Sequence, residues 1–416
     1  MSDLYTYPAA GIAQLTIETI GRNGVLRAEP DATEIQIVAS SAEAATAAEI
    51  VVSGDAARFV GGQVTRVVLP PDVAVTVVAA GGDLRIEGLG APARVDTVEG
   101  DLRIDQASGP VTITLVRGDV RSDGAADLQI ETCDGDCRFL TGGLLRLGTV
   151  EGDLRVSSAG DVRVTTIHGD VALENVAGAV HVEQVYGDVR LSHVEKQAVL
   201  GQVRGDMRGV ALLGGLSVAH VAGDLSLEGP FPAAEGYAVH AGGDAKLRLH
   251  GEDDVQLLVR AGGRIRANLP LTPTGDGTTT YTASLGAGSV QIALTNGGDL
   301  RIEADGVDAT RGAWERGRDA GTDPFAELST LGDRIRRQVA ASLAAAGINP
   351  ETGEINLGRG RAPRTSARWP KPAPSPERPK GVSESLTSEQ LAILKMLEEG
   401  RITTDEADSL LRALGA

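Results

Sequence analysis

Apolar and polar residues alternate along most of this chain for three to six positions, and the alternation stops at a Gly-Asp pair before starting again. In "TVEGDLRIDQ", residues 97–106, the pair is followed by a segment whose Leu102 and Ile104 share one face while Arg103 lies on the other. Leu154 with Val156, and Val189 with Leu191, repeat the arrangement. A second alternating segment follows in each unit, as in "ARVDTV", "VTITLV", "DVRVTTI" and "AVHVEQV". Period-2 patterning in β-branched segments bounded by Gly, Ser and Asp predicts short strands joined by tight turns.

The turns recur at a fixed interval. Gly-Asp pairs place Asp83, Asp101, Asp119, Asp136, Asp153, Asp170, Asp188, Asp206 and Asp224 at successive spacings of 18, 18, 17, 17, 17, 18, 18 and 18 residues. The series then loosens through Asp244 and ends at Asp299 in "NGGDLRIEA", with Arg264 and Ser289 standing in the Asp slot of the two intervening units. A unit this small cannot bury its own apolar face, so copies must stack. The prediction is an all-β, single-stranded β-solenoid (β-helix), one coil per unit, over 81–305. Gly is expected to provide a corner with positive φ, and Asp to hydrogen-bond the turn backbone. Arg85, Arg103, Arg121, Arg138, Arg155 and Arg190 hold the next outward position, as do Arg208 and Arg301. In-register stacking turns them into a positive column beside the negative one, and opposite signs offset the repulsion within each.

Residues 1–80 are strand-like but less regular, and are expected to begin or cap the solenoid. The period changes after 305. In 323–347, Asp323 is an N-cap candidate, Pro324 opens a helix and Gly347 follows its end, with Phe325, Leu328, Leu331, Ile335, Val339 and Leu343 on one face. An amphipathic helix capping the last coil is expected there. Residues 348–384 read as a disordered linker rich in Pro and Arg, with Arg359, Arg361, Arg364, Arg368, Lys371, Arg378 and Lys380 against Glu377 in 358–380. Residues 385–416 read as a small α-helical hairpin, with capping boxes at Thr387/Gln390 and Thr403/Glu406 and a stop at Gly400. Its Leu391, Leu394 and Leu397 face Ile402, Leu410, Leu411 and Leu414. So short a hairpin buries little area, so it is expected to pair with a second copy or dock on a partner, making the chain a homo-oligomer.

Composition sharpens this picture. Of the 416 residues 42% are hydrophobic but only 3% aromatic, which suits a narrow core of Val, Leu, Ile and Ala. A net charge of −18 argues against nucleic acid and anionic membranes as partners of the bulk surface. Only the basic linker offers a route to peripheral membrane contact. No signal peptide or membrane-spanning stretch is read, so the expected location is cytoplasmic.

The repeats "VEGDLRID", "VRGDVRSD" and "VYGDVRLS" resemble a widespread bacterial β-solenoid family catalogued as putative adhesins and largely uncharacterised; the similarity runs over roughly residues 10–305. The run "ILKMLEEGRITTDEADSLLRAL" resembles the SHOCT-like helical hairpin. The second resemblance implies oligomerisation; the first implies no catalytic residues.

Candidate chemistry is sparse. "RGD" occurs at 117–119 and 204–206, but the residue before Gly-Asp varies freely. Cys133 and Cys137 fall at inward positions and read as buried thiols. The six histidines fall at differing phases and form no column. One Asp per coil beside an Arg is a poor calcium ligand set. No metal, cofactor or catalytic residue is assigned, and the expectation is a non-enzymatic scaffold or interaction protein. The alternatives are a polymer-forming cytoskeletal element like the bactofilins and an exported surface adhesin.

Overall fold

The computed structural model describes residues 2–40, 49–232, 236–274 and 280–305. The expected helix at 323–347, the linker and the hairpin, with its Leu391, Leu394, Leu397, Ile402, Leu410, Leu411 and Leu414, lie outside the described residues. All the described residues belong to one compact unit, Met1–Gly358.

The described chain is all β, and its 32 strands join one continuous hydrogen-bonded sheet wound as a solenoid. Each coil contributes two strands that pair in parallel with the equivalent strands above and below. Leu102–Asp105 lies between Leu84–Glu87 and Val120–Asp123, with Leu102 opposite Leu84 and Val120, and Ile104 opposite Ile86 and Ser122. Ala93–Val98, Val111–Val116 and Ala125–Cys133 stack in the same way on the other face. A 17- or 18-residue repeat therefore returns every side chain to its own column. The inward columns, such as Val95, Ile113, Ile130, Leu147 and Val164, are buried. β-Branched side chains suit this surface, because their restricted rotamers pack against identical neighbours one coil away.

Column volumes are balanced locally. Ser122 sits inward directly opposite Phe139, and Gly209 lies between Leu191 and Leu227. A Cβ on Gly209 would come within 2.8 Å of Leu212 Cδ1 and 3.0 Å of Leu227 Cδ2, so the missing side chain is what admits the two leucines. Close packing of this kind makes the interior sensitive to added volume.

The two ends depart from sequence order. Gln14–Ala28 is itself a full coil, paired on one side with Ala56–Val60 and Gln63–Leu69, and on the other with Ala74–Ala80 and Leu84–Glu87. The coil at 56–69 is thus outermost, although 14–28 precedes it in the chain. At the far end, Val290–Asn296 and Leu300–Ala304 insert between the coil at 237–249 and the coil at 255–267. Parallel stacking reaches back to Gln14, within the less regular segment 1–80 expected to begin or cap the solenoid. "GAGSVQIAL" also proves to begin the opposite face: Ser289 lies at the other corner, where its hydroxyl donates to the Asp254 carbonyl at 3.3 Å.

Antiparallel strands overlie the outermost coils. Glu49–Ser53 covers Ala56–Val60, Glu34–Ser40 covers Gln63–Leu69 and Ser2–Pro8 covers Glu34–Ser40. Thr280–Leu285 runs antiparallel to Val255–Ala261 at the other end. These strands satisfy backbone groups that an open parallel edge would present to another sheet. No helix among the described residues is long and apolar enough to cross a membrane.

The swapped order at the far end has a direct test. Lys246 lies beside Arg301, and Arg301 beside Arg266. A Lys246→Cys/Arg301→Cys variant should form a disulfide on mild oxidation, since in-register parallel neighbours lie within disulfide reach. Lys246→Cys/Arg266→Cys should not, because about two coil spacings, roughly 9.6 Å, separate that pair. Peptide mass spectrometry distinguishes the two, and the reverse result would restore sequential winding.

Candidate functional site

The corner carrying the Gly-Asp pair is the most regular feature of the molecule. Each Asp backbone N–H donates to the Oδ1 of the Asp one coil before. Asp101 donates to Asp83 at 3.0 Å, Asp119 to Asp101 at 2.9 Å, Asp136 to Asp119 at 2.9 Å and Asp153 to Asp136 at 2.8 Å. The series continues through Asp170, Asp188, Asp206, Asp224 and Asp244 at 2.8–2.9 Å. It passes unbroken through the swapped coils, since Asp299 donates to Asp244 at 2.7 Å and Arg264 donates to Asp299 at 2.8 Å. Arg264 thus closes the ladder with its amide and needs no carboxylate of its own.

The glycine before each Asp answers to this ladder, and not to positive φ. Among the described residues the left-handed glycines lie elsewhere, at Gly88, Gly124 and Gly215 for example. A Cβ on Gly118 would stand 2.3 Å from Asp101 Oδ1 and 2.7 Å from the Gly100 carbonyl carbon, and one on Gly152 would stand 2.3 Å from Asp136 Oδ1. The coils approach closely enough here that no side chain fits.

The arginines form the expected column, since Arg85, Arg103, Arg121, Arg138 and Arg155 are neighbours in register, as are Arg190 and Arg208. Ala172 interrupts it between Arg155 and Arg190. Their counter-charges differ from those expected. Among the described residues only Arg155 of this column reaches a ladder carboxylate, Asp153 Oδ2 at 3.4 Å. Arg85 pairs with Glu87 at 2.5 Å and Asp105 at 3.2 Å, Arg103 with Asp105 at 2.8 Å and Arg301 with Glu303 at 2.5 Å. The acids that pair with Arg85, Arg103 and Arg301 therefore lie on the side away from the ladder. Burial works to raise the Asp105 carboxyl, but the Arg103 and Arg85 guanidiniums outweigh it and hold it below its ordinary value. Arg121, Arg138 and Arg190 make no ion pair among the described residues.

Between the ladder and the arginine column runs a groove. One stretch, of about 530 Å³, follows Asp83 to Asp153 on one wall and Arg85 to Arg155 on the other. A second, of about 520 Å³, follows Asp188 to Asp299 opposite Arg190, Arg208, Lys246 and Arg301. The gap between them falls at Asp170 and Ala172, where the cationic wall is missing. Such a groove offers alternating charge at one coil spacing, about 4.8 Å, to an extended ligand.

The position before each Gly-Asp also forms a column. Arg117 pairs with Glu99 at 3.0 Å. His168 Nδ1 lies 2.5 Å from Glu151 Oε2, its ring meets Tyr186 edge-on at 4.7 Å, and Arg204 covers the other side of Tyr186 at 4.1 Å. In both "RGD" triplets the Arg is held by this column and the Asp by the ladder. The histidines are not all at differing phases as expected: His220 and His240 each lie four residues before a ladder aspartate and stack with ring centres 5.3 Å apart, and burial together with His220 lowers the pKa of His240. A change of register between Val218 and Val221 brings these two together. Cys133 and Cys137 are buried in the core, and the Cys133 thiol together with burial pushes that of Cys137 up. Such a thiol is inert. Among the described residues no three His, Cys, Asp or Glu side chains converge as a metal site requires.

Three comparisons bear on the chain. Residues 388–416 match a family model described as a SHOCT-like domain. No curated protein matches. A crystal structure of a putative cell adhesion protein from Clostridium sporogenes aligns at 9% identity over 73% of this chain and 99% of that one, with a TM-score of 0.17, a likeness too low to argue from.

Two substitutions separate the parts of the ladder. Gly118→Ala should destabilise by about 1–3 kcal/mol or more through overpacking against backbone. Asp136→Ala should cost about 1–2 kcal/mol by leaving the Asp153 amide without an acceptor, whereas Asp136→Asn keeps an acceptor oxygen and should lose less than half of that. Urea midpoints give the comparison; equal losses for Ala and Asn would show that charge, and not the hydrogen bond, is what matters.

Proposed function

We propose that this chain is a non-enzymatic interaction protein: a rigid acidic β-solenoid that presents its corner groove, joined by the 348–384 linker to a self-associating hairpin at 385–416. The observation that carries the reading is the ladder itself. Every carboxylate of the repeat, from Asp83 to Asp244 and on to Asp299, spends an oxygen on its neighbour's amide, so the most repeated acidic residue is structural. A rod built this way is stiff, and its outward columns are free to serve recognition. The two groove stretches, along which Arg121, Arg138 and Arg190 have no ion pair among the described residues, are the surface best suited to an extended charged partner. The SHOCT-like match at 388–416 supports a protein-contacting role for the hairpin. Association through the tail would join several grooves and raise the avidity of weak contacts.

Growth by end-to-end stacking of solenoids is a poorer account of the same rod. Such a polymer needs open parallel edges, and Glu34–Ser40, Glu49–Ser53 and Thr280–Leu285 lie antiparallel across the outermost coils.

Analytical ultracentrifugation tests the proposal. The full chain should sediment as an oligomer and a chain ending at Gly381 as a monomer. Monomers in both would remove self-association, and filaments that survive the truncation would favour stacking through the ends.

A further inference from the structure

The two charged columns of the groove complement each other, and that singles out one kind of partner. In each coil the ladder aspartate and the arginine stand two residues apart on the outer face, about 6.6 Å along the strand, and each column repeats at one coil spacing, about 4.8 Å. The aspartates spend Oδ1 on the neighbouring amide, as Asp119 does for Asp136 and Asp136 for Asp153. Among the described residues the ladder meets a cation only at Asp153. Across the groove, Arg121, Arg138 and Arg190 are exposed and make no ion pair among the described residues. The next outward position explains why. Glu87 and Asp105 stand there to hold Arg85 and Arg103, but Asp123 accepts the Thr141 hydroxyl at 2.5 Å, and Leu140 and Ser192 carry no charge.

The spacing selects what can occupy such a groove. A peptide strand laid along it presents same-face side chains about every 6.6–6.8 Å, and a duplex strand presents a phosphate about every 3.4 Å. The turns of a helix, about 5.4 Å apart, fall out of step by more than half a coil spacing within five coils. A second β-solenoid carries the same spacing and keeps step over the whole groove.

We propose that the groove pairs with the same groove of a second copy of this chain, the two solenoids lying side by side and parallel with their coils in register. Symmetry fixes this arrangement. A two-fold axis parallel to the solenoid axis exchanges left and right, so it lays the aspartate column of each copy on the arginine column of the other. A two-fold axis across the solenoid would set aspartate on aspartate. In the parallel pair Arg121 meets the partner's Asp119, Arg138 meets the partner's Asp136 and Arg190 meets the partner's Asp188. Asp170 faces the partner's Ala172, so the gap in the cationic wall brings no like charges together. The match stops at the last coil, where Arg264 takes the place of the acid. Exposed ion pairs are individually weak, so the contact needs several of them and a tether that keeps two copies close. The pairing thus rests on the reading of the tail as self-associating, which brings the second groove within reach. The net charge of −18 repels at a distance, but at physiological ionic strength it is screened beyond roughly 8 Å, and the facing columns decide the contact.

The test uses the full chain carrying Arg138→Lys, which keeps the charge and supplies an amine. Unlabelled and heavy-isotope-labelled chains are mixed in dilute solution, concentrated and treated with a water-soluble carbodiimide, which joins an amine to a carboxylate in direct contact. Peptide mass spectrometry reads the links, and sedimentation of the untreated mixture gives its oligomeric state. Among links that join a light to a heavy peptide, the one from position 138 to Asp136 should dominate. Adding Arg121→Glu and Arg190→Glu sets acid against acid and should cut its yield at least fivefold. Both arginines are exposed, and an unchanged circular dichroism melting curve reports that the solenoid remains folded. An oligomer without light-to-heavy links from position 138 would overturn the groove contact and leave association through the tail standing. Links to the partner's Asp101 or the partner's Asp188 instead, as staggered or antiparallel solenoids would give, would overturn it too. So would a yield untouched by the two glutamates. Monomers throughout would remove both the groove contact and association through the tail.

Discussion

The structure depends on one contact: a carboxylate oxygen of each coil accepting the corner amide of the next. That hydrogen bond requires the coils to sit in register at the corner, and it repeats without interruption from Asp83 to Arg264. It also brings backbone so close to backbone that the preceding residue must be glycine. Once the corner is fixed, strand pairing on both faces follows, because nearly the same number of residues separates each corner from the next. Leu102 then meets Leu84 and Val120, Arg103 meets Arg85 and Arg121, and apolar columns form without any long-range signal beyond the period.

Stacking in register has an electrostatic cost that the surface resolves in two ways. Ladder aspartates are tied to amide hydrogens, which disperses their charge into the backbone. Arginines lean the other way, toward Glu87, Asp105 and Glu303. Where a large side chain enters an inner column, a small one opposes it, as with Phe139 and Ser122, so the period survives changes of volume.

Much of this was legible in the chain. Alternation and the 17- or 18-residue spacing specify strands, coils and the inward set, since a period of two admits only one face for each residue. The Asp and Arg columns could be named residue by residue. What spacing could not reveal was how each residue acts. Glycine in a turn suggests positive φ, and only the distance to the neighbouring coil exposes the steric reason at Gly118. Arg and Asp two positions apart look paired, yet Arg85, Arg103 and Arg301 turn to Glu87, Asp105 and Glu303 instead. By contrast, His220 and His240 each stand four residues before a ladder aspartate, Asp224 and Asp244, so their meeting was legible in the chain once position was counted from the corner.

Periodicity therefore determined the local repeat, because stacking identical units is the one way such short segments can bury their apolar sides. The order of the end coils was decided in three dimensions. Each coil offers two equivalent edges, so the sequence of 290–304 fits as well against the coil at 237–249 as the coil at 255–267 would. Which one takes the place is set by the loops that must turn back and by the antiparallel strands that close the last edge. Those are properties of the whole stack and of no single unit within it.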